Sequence, residues 1–131
     1  MYKGAILCVD DERIILESLK NQLGQEFGKE YIIELALSAD EALEIIDDLQ
    51  SESVSMLVVI SDWLMPGMKG DELLLEIHQR MPQVAKIILS GQADESSIKM
   101  LHEKVQLQKF IAKPWKAEEL ITIIREGIRH G

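Results

Sequence analysis

Five short apolar runs, each followed by a segment with the spacing of an amphipathic helix, constrain the fold of this chain more than any other feature. The runs are AILCV at 5–9, YIIELAL at 31–37, MLVVI at 56–60, KIIL at 86–89 and KFIA at 109–112. Continuous apolar runs are typical of parallel strands that helices cover on both faces. The alternation therefore predicts five βα units.

Apolar residues at helical spacing follow each run. They are Ile15, Leu19 and Leu23; Leu43, Ile46 and Leu49; Leu73 or Leu74, Ile77 and Met81; Ile98, Leu101 and Val105; and Leu120, Ile121, Ile123, Ile124 and Ile128. The last stripe is wider than one buried face needs, which indicates extra core or a partner surface. Ser38 with Glu41 has the pattern of a capping box before the second helix. Asp94 precedes the fourth helix, and we expect it to cap that helix.

Crossovers between parallel strands are right-handed, which limits how five βα units can be arranged. The simplest arrangement is an α/β fold with a five-stranded, doubly wound parallel sheet and five helices. Glu34 lies within the second run. We therefore expect that run to form an edge strand.

Length and composition exclude several classes of protein. The 131 residues, 47% of them hydrophobic, suit one domain at 1–131, either a complete protein or part of a longer one. The net charge of −9 makes the surface repel nucleic-acid phosphates and anionic lipid. Cys8 is the only cysteine, and no apolar run approaches the length of a membrane span. We expect a cytoplasmic protein that binds neither nucleic acid nor membranes.

Charged and polar residues follow four of the five predicted strands, where ligands collect in open parallel α/β sheets. Asp10, Asp11 and Glu12 follow the first strand, Asp62 the third, Ser90 and Gly91 the fourth, and Lys113 and Pro114 the fifth. Taken singly, each has an ordinary structural role. The acids can cap a helix, Ser90 can form a turn, and Lys113 can be solvated.

Carboxylates crowded at one sheet edge raise one another's pKa unless a cation neutralises them. Carboxylate oxygens with a backbone carbonyl and waters form the site that Mg²⁺ prefers, and no His or Cys cluster suits zinc. With Mg²⁺ bound, Asp62 can act as a nucleophile toward a phosphoryl group. The cation, Lys113 and the Ser90 hydroxyl would then bind its oxygens, which is the main requirement of phosphoryl transfer.

Four motifs occur in order along the chain: DD at 10 and 11, SDWLMPGMKG around Asp62, SGQ from Ser90 and KPW from Lys113. Together they resemble the motifs of bacterial response-regulator receiver domains, and the resemblance covers essentially the whole chain. It implies a CheY-like, flavodoxin-like sheet with strand order 2-1-3-4-5.

The resemblance also implies a role for each site residue. Asp62 would be the phosphoacceptor. Mg²⁺ would be bound by Asp10 and Asp11, one of them partly through water, by Asp62 and by the backbone carbonyl of Leu64. Lys113 and Ser90 would sense the phosphoryl group, and Ser90 with Phe110 would form the switch. Movement of Ser90 would admit Phe110 and change the surface of the fourth helix, fifth strand and fifth helix.

Two departures from the family pattern affect these expectations. Phe110 stands where tyrosine is frequent, so it has no hydroxyl to report its position. Leu64 and Gln92, each two residues after a site residue, offer no acid to orient water, so we expect comparatively persistent phosphorylation. We expect Trp115, bulkier than the usual phenylalanine, to pack against the fifth helix.

The implied function is a signalling switch that a histidine kinase or phosphotransfer protein phosphorylates. It would regulate an output domain in cis or in trans, with or without phosphorylation-dependent homodimers, and would only slowly dephosphorylate itself, so it is not a turnover enzyme. The alternative is a receiver-like interaction module that never takes phosphate. A haloacid-dehalogenase-like phosphatase would need an acid at Leu64, and a nucleotide binder would need a glycine-rich phosphate loop that the chain lacks.

Overall fold

A computed structural model of the chain describes residues 1–91 and 95–130. The elements are β1 (Gly4–Val9), α1 (Arg13–Phe27), β2 (Tyr31–Ala36), α2 (Ala39–Ser51), β3 (Met56–Ser61), α3 (Gly70–Arg80), β4 (Ala85–Ser90), α4 (Glu95–Val105), β5 (Lys109–Ala112) and α5 (Ala117–His130). All five predicted strands and all five predicted helices are present, and each strand ends within one residue of its apolar run. Gln92 and the expected cap Asp94 lie outside the described residues. No helix in the described part is long and apolar enough to cross a membrane.

The five strands form one parallel sheet in the order β2-β1-β3-β4-β5. This is the strand order that the family resemblance implies, and the α/β fold class is confirmed. Strand β2, which contains Glu34, lies at one edge of the sheet, as its sequence indicates. Strand β1, which leads to the acidic pair, lies next to β3, which leads to Asp62.

Successive residues of the strands point to opposite faces of the sheet, and each face packs against its own helices. Ile6 and Cys8 lie in the core that α1 and α5 cover, whereas Leu7 and Val9 lie in the core that α2, α3 and α4 cover. Burial raises the pKa of the Cys8 thiol to about 12, so this cysteine behaves as a small apolar core residue.

The wide apolar stripe of α5 belongs to the core. Leu120, Ile123 and Ile124 are buried, and Ile121 and Ile128 pack partly buried against the same cluster. The extra apolar positions therefore contact the sheet and α1, and no large hydrophobic side chain is exposed among residues 117–129 of this helix. Trp115 packs on this core too, but its indole N–H donates to Gln22 Oε1 of α1 at 2.8 Å, a contact with α1 that the sequence did not predict.

The capping predictions hold only in part. The Ser38 hydroxyl caps α2 by accepting the Glu41 N–H at 3.1 Å, but Glu41 Oε1 accepts from Leu37 N–H at 3.4 Å and not from Ser38. Neither member of the acidic pair caps α1, because Glu12 occupies the N-cap position. The Asp10 carboxylate instead holds the Glu12 N–H at 2.9 Å and reaches across the sheet edge.

Candidate functional site

The sheet positions the backbone of each charged site residue. Each residue directly after a strand extends the hydrogen-bond ladder by one step: Asp10 N–H donates to Ala36 O at 3.1 Å, Asp62 N–H to Val9 O at 2.9 Å and Lys113 N–H to Ser90 O at 3.2 Å. Their side chains therefore start from rigid points on neighbouring strands. The residues that the sequence placed at the strand ends are brought together at the carboxyl edge of the sheet.

Three carboxylates form a compact cluster at this edge. One oxygen from each of Asp10, Asp11 and Asp62 lies within 4.8 Å of the others. Asp10 and Asp62 are 2% and 7% exposed, whereas Asp11 is exposed. The donors are all hard oxygens and one side of the cluster faces solvent, so the residues present fit a divalent cation such as Mg²⁺.

The Lys113 ammonium neutralises part of this charge. Its Nζ lies 2.8 Å from Asp10 Oδ2 and 3.5 Å from Asp62 Oδ2. Burial lowers the pKa of Lys113, but its hydrogen bond to Asp10 and the charges of Asp10, Asp62 and Glu12 together outweigh burial and raise that pKa. Lys113 therefore remains a cation when it contacts the two carboxylates.

The pKa of Asp10 is raised in the fold. Burial is the largest cause and the charge of Asp62 adds to it, while the Lys113 hydrogen bond, the Glu12 N–H and the charge of Lys113 act in the opposite direction. The lysine only partly offsets the cost of burying this carboxylate. A second cation at the cluster would offset more of it.

The loop between β3 and α3 holds Asp62 in place. Trp63 N–H donates to Asp62 Oδ1 at 2.8 Å, and the Ser61 hydroxyl donates to the Asp62 carbonyl at 2.9 Å. Gly70 N–H closes the loop on Trp63 O at 2.9 Å, and a Cβ on Gly70 would overlap the Asp62 carbonyl oxygen. Gly67 turns the loop at φ +81°, a conformation that favours glycine.

An open cleft of about 340 Å³ lies over the cluster. Its lining residues are Asp11, Glu12, Asp62, Leu64, Ser90, Gly91 and Lys113. Five of these are site residues that the sequence predicts, and Asp10 is buried within hydrogen-bond distance of Lys113. Glu12 lies at the strand end in the sequence, but its pattern indicated no role for it. The signal was its position directly after the acidic pair.

Ser90 and Phe110, the two residues predicted to form the switch, lie on adjacent strands. Phe110 is paired in register with Ile88 and packs half-buried against the core that α2, α3 and α4 cover. Ser90 lies two residues after Ile88 on β4 and therefore faces the same side of the sheet. A side chain that moves at Ser90 thus has Phe110 as a neighbour along the same face.

Comparison with known proteins agrees with this geometry. The sequence model of the response regulator receiver domain matches residues 6–125. The chain belongs to this family. The receiver domain is 32% identical over 126 residues to the hydrogenase transcriptional regulatory protein HoxA of Cupriavidus necator, covering 96% of this chain and 24% of HoxA. It is also 33% identical over 123 residues to the sensor kinase CckA of Brucella abortus, covering 94% of this chain and 12% of CckA.

Solved structures of receiver domains have the same fold. The signal receiver domain of an HD domain-containing protein from Pseudomonas fluorescens superposes with a TM-score of 0.85 at 30% identity, covering 98% of this chain and 96% of that one. A CheY-like receiver domain protein from Methanospirillum hungatei gives a TM-score of 0.82 at 30% identity, covering 96% of this chain and 94% of that one. The receiver domain thus spans nearly the whole of these structures but about a quarter or less of HoxA and CckA.

Proposed function

We propose that this receiver domain is a phosphoryl-accepting signalling switch and that Asp62 accepts the phosphoryl group from a phosphohistidine. The observation that carries the proposal is the position of the Asp62 carboxylate. It lies at the floor of an open cleft, held by the Trp63 N–H and close to the Lys113 ammonium. A carboxylate that is oriented yet reachable is suited to attack an electrophile.

The transfer is an in-line exchange of bonds. An Asp62 carboxylate oxygen forms a new P–O bond as the P–N bond to the donor imidazole breaks, and that electron pair remains on the imidazole nitrogen. The Trp63 N–H keeps Oδ1 oriented, while the Lys113 ammonium compensates negative charge on the transferred oxygens. Ser90, which ends β4 and lines the cleft, would donate its hydroxyl to the phosphorylated Asp62.

We propose Asp10, Asp11 and Asp62 as carboxylate ligands of Mg²⁺, with the backbone carbonyl of Leu64 as a further ligand. When bound, Mg²⁺ supplies positive charge that neutralises the phosphoryl oxygens. The support is the cluster of three hard-oxygen donors within 4.8 Å of one another. Lys113 alone neutralises only one of their charges.

Signalling would follow from the new charge at Asp62. Ser90 would move toward it, and Phe110, on the same sheet face, would fill the space and change the surface formed by α4, β5 and α5. We propose an output domain in cis or in trans as the reader of this surface, with a phosphorylation-dependent homodimer as one form of response. The chain spans 24% of HoxA and 12% of CckA, so the extent of the receiver domain over 1–131 and a cytoplasmic location belong to the same proposal.

The rim of the cleft suits a protein donor. Leu64, which lines the cleft, is 41% exposed, and Ile14, two residues after the cleft residue Glu12, is 70% exposed, so both large apolar side chains are open to solvent. A histidine kinase or phosphotransfer protein would cover them as it brings its phosphohistidine to Asp62.

The Leu64 side chain cannot orient water, which supports the expectation of persistent phosphorylation. Leu64→Asn should therefore shorten the lifetime of the phosphoryl group, measured by intact mass.

Intact-mass measurement after incubation with acetyl phosphate and Mg²⁺ tests the proposal. The wild-type chain should gain one phosphoryl group, and the gain should require Mg²⁺. Asp62→Asn should gain none, whereas Asp48→Asn, at an exposed position on α2, should behave as the wild type. Labelling of Asp62→Asn at the normal rate would refute the assignment. No labelling of any form by any donor would favour an interaction module that works without phosphorylation.

A further inference from the structure

The Glu12 carboxylate lines the cleft but does not help to hold the surrounding residues in place. Its backbone is held on both sides, because its N–H donates to Asp10 Oδ1 at 2.9 Å and its carbonyl accepts the Ile15 and Leu16 N–H groups at 3.1 and 3.3 Å. Glu12 occupies the N-cap position of α1, yet its side chain caps no helix N–H. Within the described residues, its carboxylate makes no hydrogen bond or ion pair.

The negative charge of Glu12 acts within the cleft, although Glu12 does not belong to the carboxylate cluster. Glu12 is one of the charges that raise the pKa of Lys113, so its field reaches the phosphoacceptor side of the site. It is not a member of the Asp10, Asp11 and Asp62 cluster. A divalent cation on that cluster would therefore leave the Glu12 charge uncompensated.

The formal charge of the site is strongly negative. Four carboxylates and one ammonium leave three negative charges, and a bound divalent cation would leave one. That last charge faces any donor entering the cleft. It acts on the charge that a donor brings into the cleft, within about a Debye length, so its effect depends on the charge of the reacting end of the donor.

We infer that Glu12 is a specificity-determining residue that disfavours strongly anionic phosphodonors relative to a phosphohistidine on a protein. This inference rests on the proposed function. In each reaction an Asp62 oxygen forms a P–O bond. With acetyl phosphate the breaking P–O bond leaves its electron pair on acetate, a departing anion, whereas phosphohistidine leaves an imidazole that takes up a proton. The Glu12 charge opposes the approach of the first donor more than that of the second.

Two small donors of different charge separate this effect from a structural one. Acetyl phosphate is a dianion at neutral pH, and phosphoramidate, with its protonated nitrogen, carries less net negative charge. At saturating Mg²⁺ and low ionic strength, Glu12→Gln should raise the second-order labelling rate about 3- to 10-fold with acetyl phosphate and only about 2- to 3-fold, the square root of that factor, with phosphoramidate. At about 1 M salt, where the Debye length is roughly 3 Å, the difference should disappear.

Glu17→Gln is the matched control, because it removes the same charge from an exposed position farther along α1. It should change neither rate by more than a small fraction of the Glu12→Gln effect. A magnesium titration followed by tryptophan fluorescence would check that Glu12→Gln is saturated with cation in the rate experiment.

Three results would overturn the inference. An equal change with both donors that salt does not alter would mean that Glu12 acts by positioning Asp10. Unchanged rates would mean that its charge does not reach the donor. Absence of labelling in the wild-type chain with either donor would refute the proposed function itself, which distinguishes that failure from the first two.

Discussion

Asp10 is the least exposed carboxylate of the cluster, at 2%, and Lys113 is its cationic partner. The pKa of Asp10 is raised, so folding favours the protonated form over the ionised one. The stability associated with Asp10 is therefore full below the unfolded pKa near 3.8 and is lost as the pH rises through the higher folded value. Lys113 limits that loss at neutral pH.

Replacing Lys113 should destabilise the fold, because the buried Asp10 carboxylate then has no cationic partner. In Lys113→Met, without divalent cations, the free energy of unfolding at neutral pH should fall by about 1–3 kcal/mol, because Asp10 keeps its charge and loses its cation. The pKa of Asp10 should rise further, so the deficit should shrink as the pH falls toward 3.8. Urea denaturation at several pH values measures this.

Lys116→Met is the control for that experiment, since Lys116 is exposed and lies three residues after Lys113. It should change stability by less than about 0.5 kcal/mol at every pH. A Lys113→Met deficit that stays constant from neutral to acidic pH would contradict the ion-pair explanation.

The β3–α3 connection shows how one element boundary positions Asp62, the proposed phosphoacceptor. Helix α3 begins at Gly70, and the carbonyl oxygen of Asp62 occupies the space where a side chain on Gly70 would begin. The close approach lets Gly70 N–H bond Trp63 O, so the start of the helix and the end of the strand form one rigid unit. Glycine is required at this position for space and not for a positive φ.

Two glycine-to-alanine substitutions should therefore have opposite effects. Gly70→Ala should destabilise the fold by about 2–4 kcal/mol and slow labelling of Asp62, because the loop must shift to make room. Gly24→Ala on α1 meets nothing within 4 Å and should stabilise the fold by about 0.5–1 kcal/mol through helix propensity. Denaturant unfolding and labelling rates measure both. Equal stability of the two variants would disprove the close approach.

Cation binding at the proposed site would be coupled to folding of the whole molecule. The carboxylate cluster joins residues 10 and 11 to residue 62, which only the folded sheet brings within 4.8 Å. A ligand that binds the folded state alone stabilises it, by about 2.7 kcal/mol at 100 times its dissociation constant. With a net charge of −9, any salt also reduces repulsion within the molecule, so the specific effect must be separated from screening.

We expect Mg²⁺ to raise the unfolding temperature more than NaCl at equal ionic strength, because Mg²⁺ at the proposed site would bind only the folded state. Asp11→Asn should lose most of this additional rise while keeping nearly normal stability without Mg²⁺, since Asp11 is exposed. Thermal unfolding followed by circular dichroism measures both quantities. An identical rise with the two salts would argue against a magnesium site.

Local sequence patterns were sufficient to predict the number, order and type of the elements. The five apolar runs became strands with nearly the same bounds, and Glu34 correctly indicated an edge. Polar residues directly after those runs had to lie at one sheet edge, because parallel strands end on the same side. The candidate site residues could therefore be named from the sequence, and the family motifs supplied their proposed roles.

The tertiary structure decided which side chains meet, because such contacts join segments that local periodicity cannot relate. Lys113 lies 103 residues from Asp10 along the chain, yet their atoms are 2.8 Å apart. Lys86 begins an apolar run but is buried, with Nζ bonded to the carbonyls of Pro82 and Val84. Hydrophobic periodicity determines which face a residue points to, whereas its neighbours depend on strand order, crossover and packing. The sequence alone therefore determined the elements and the candidate residues, and only the fold decided that Lys113 pairs with Asp10, that Gly70 must lack a side chain and that Glu12 faces the cleft.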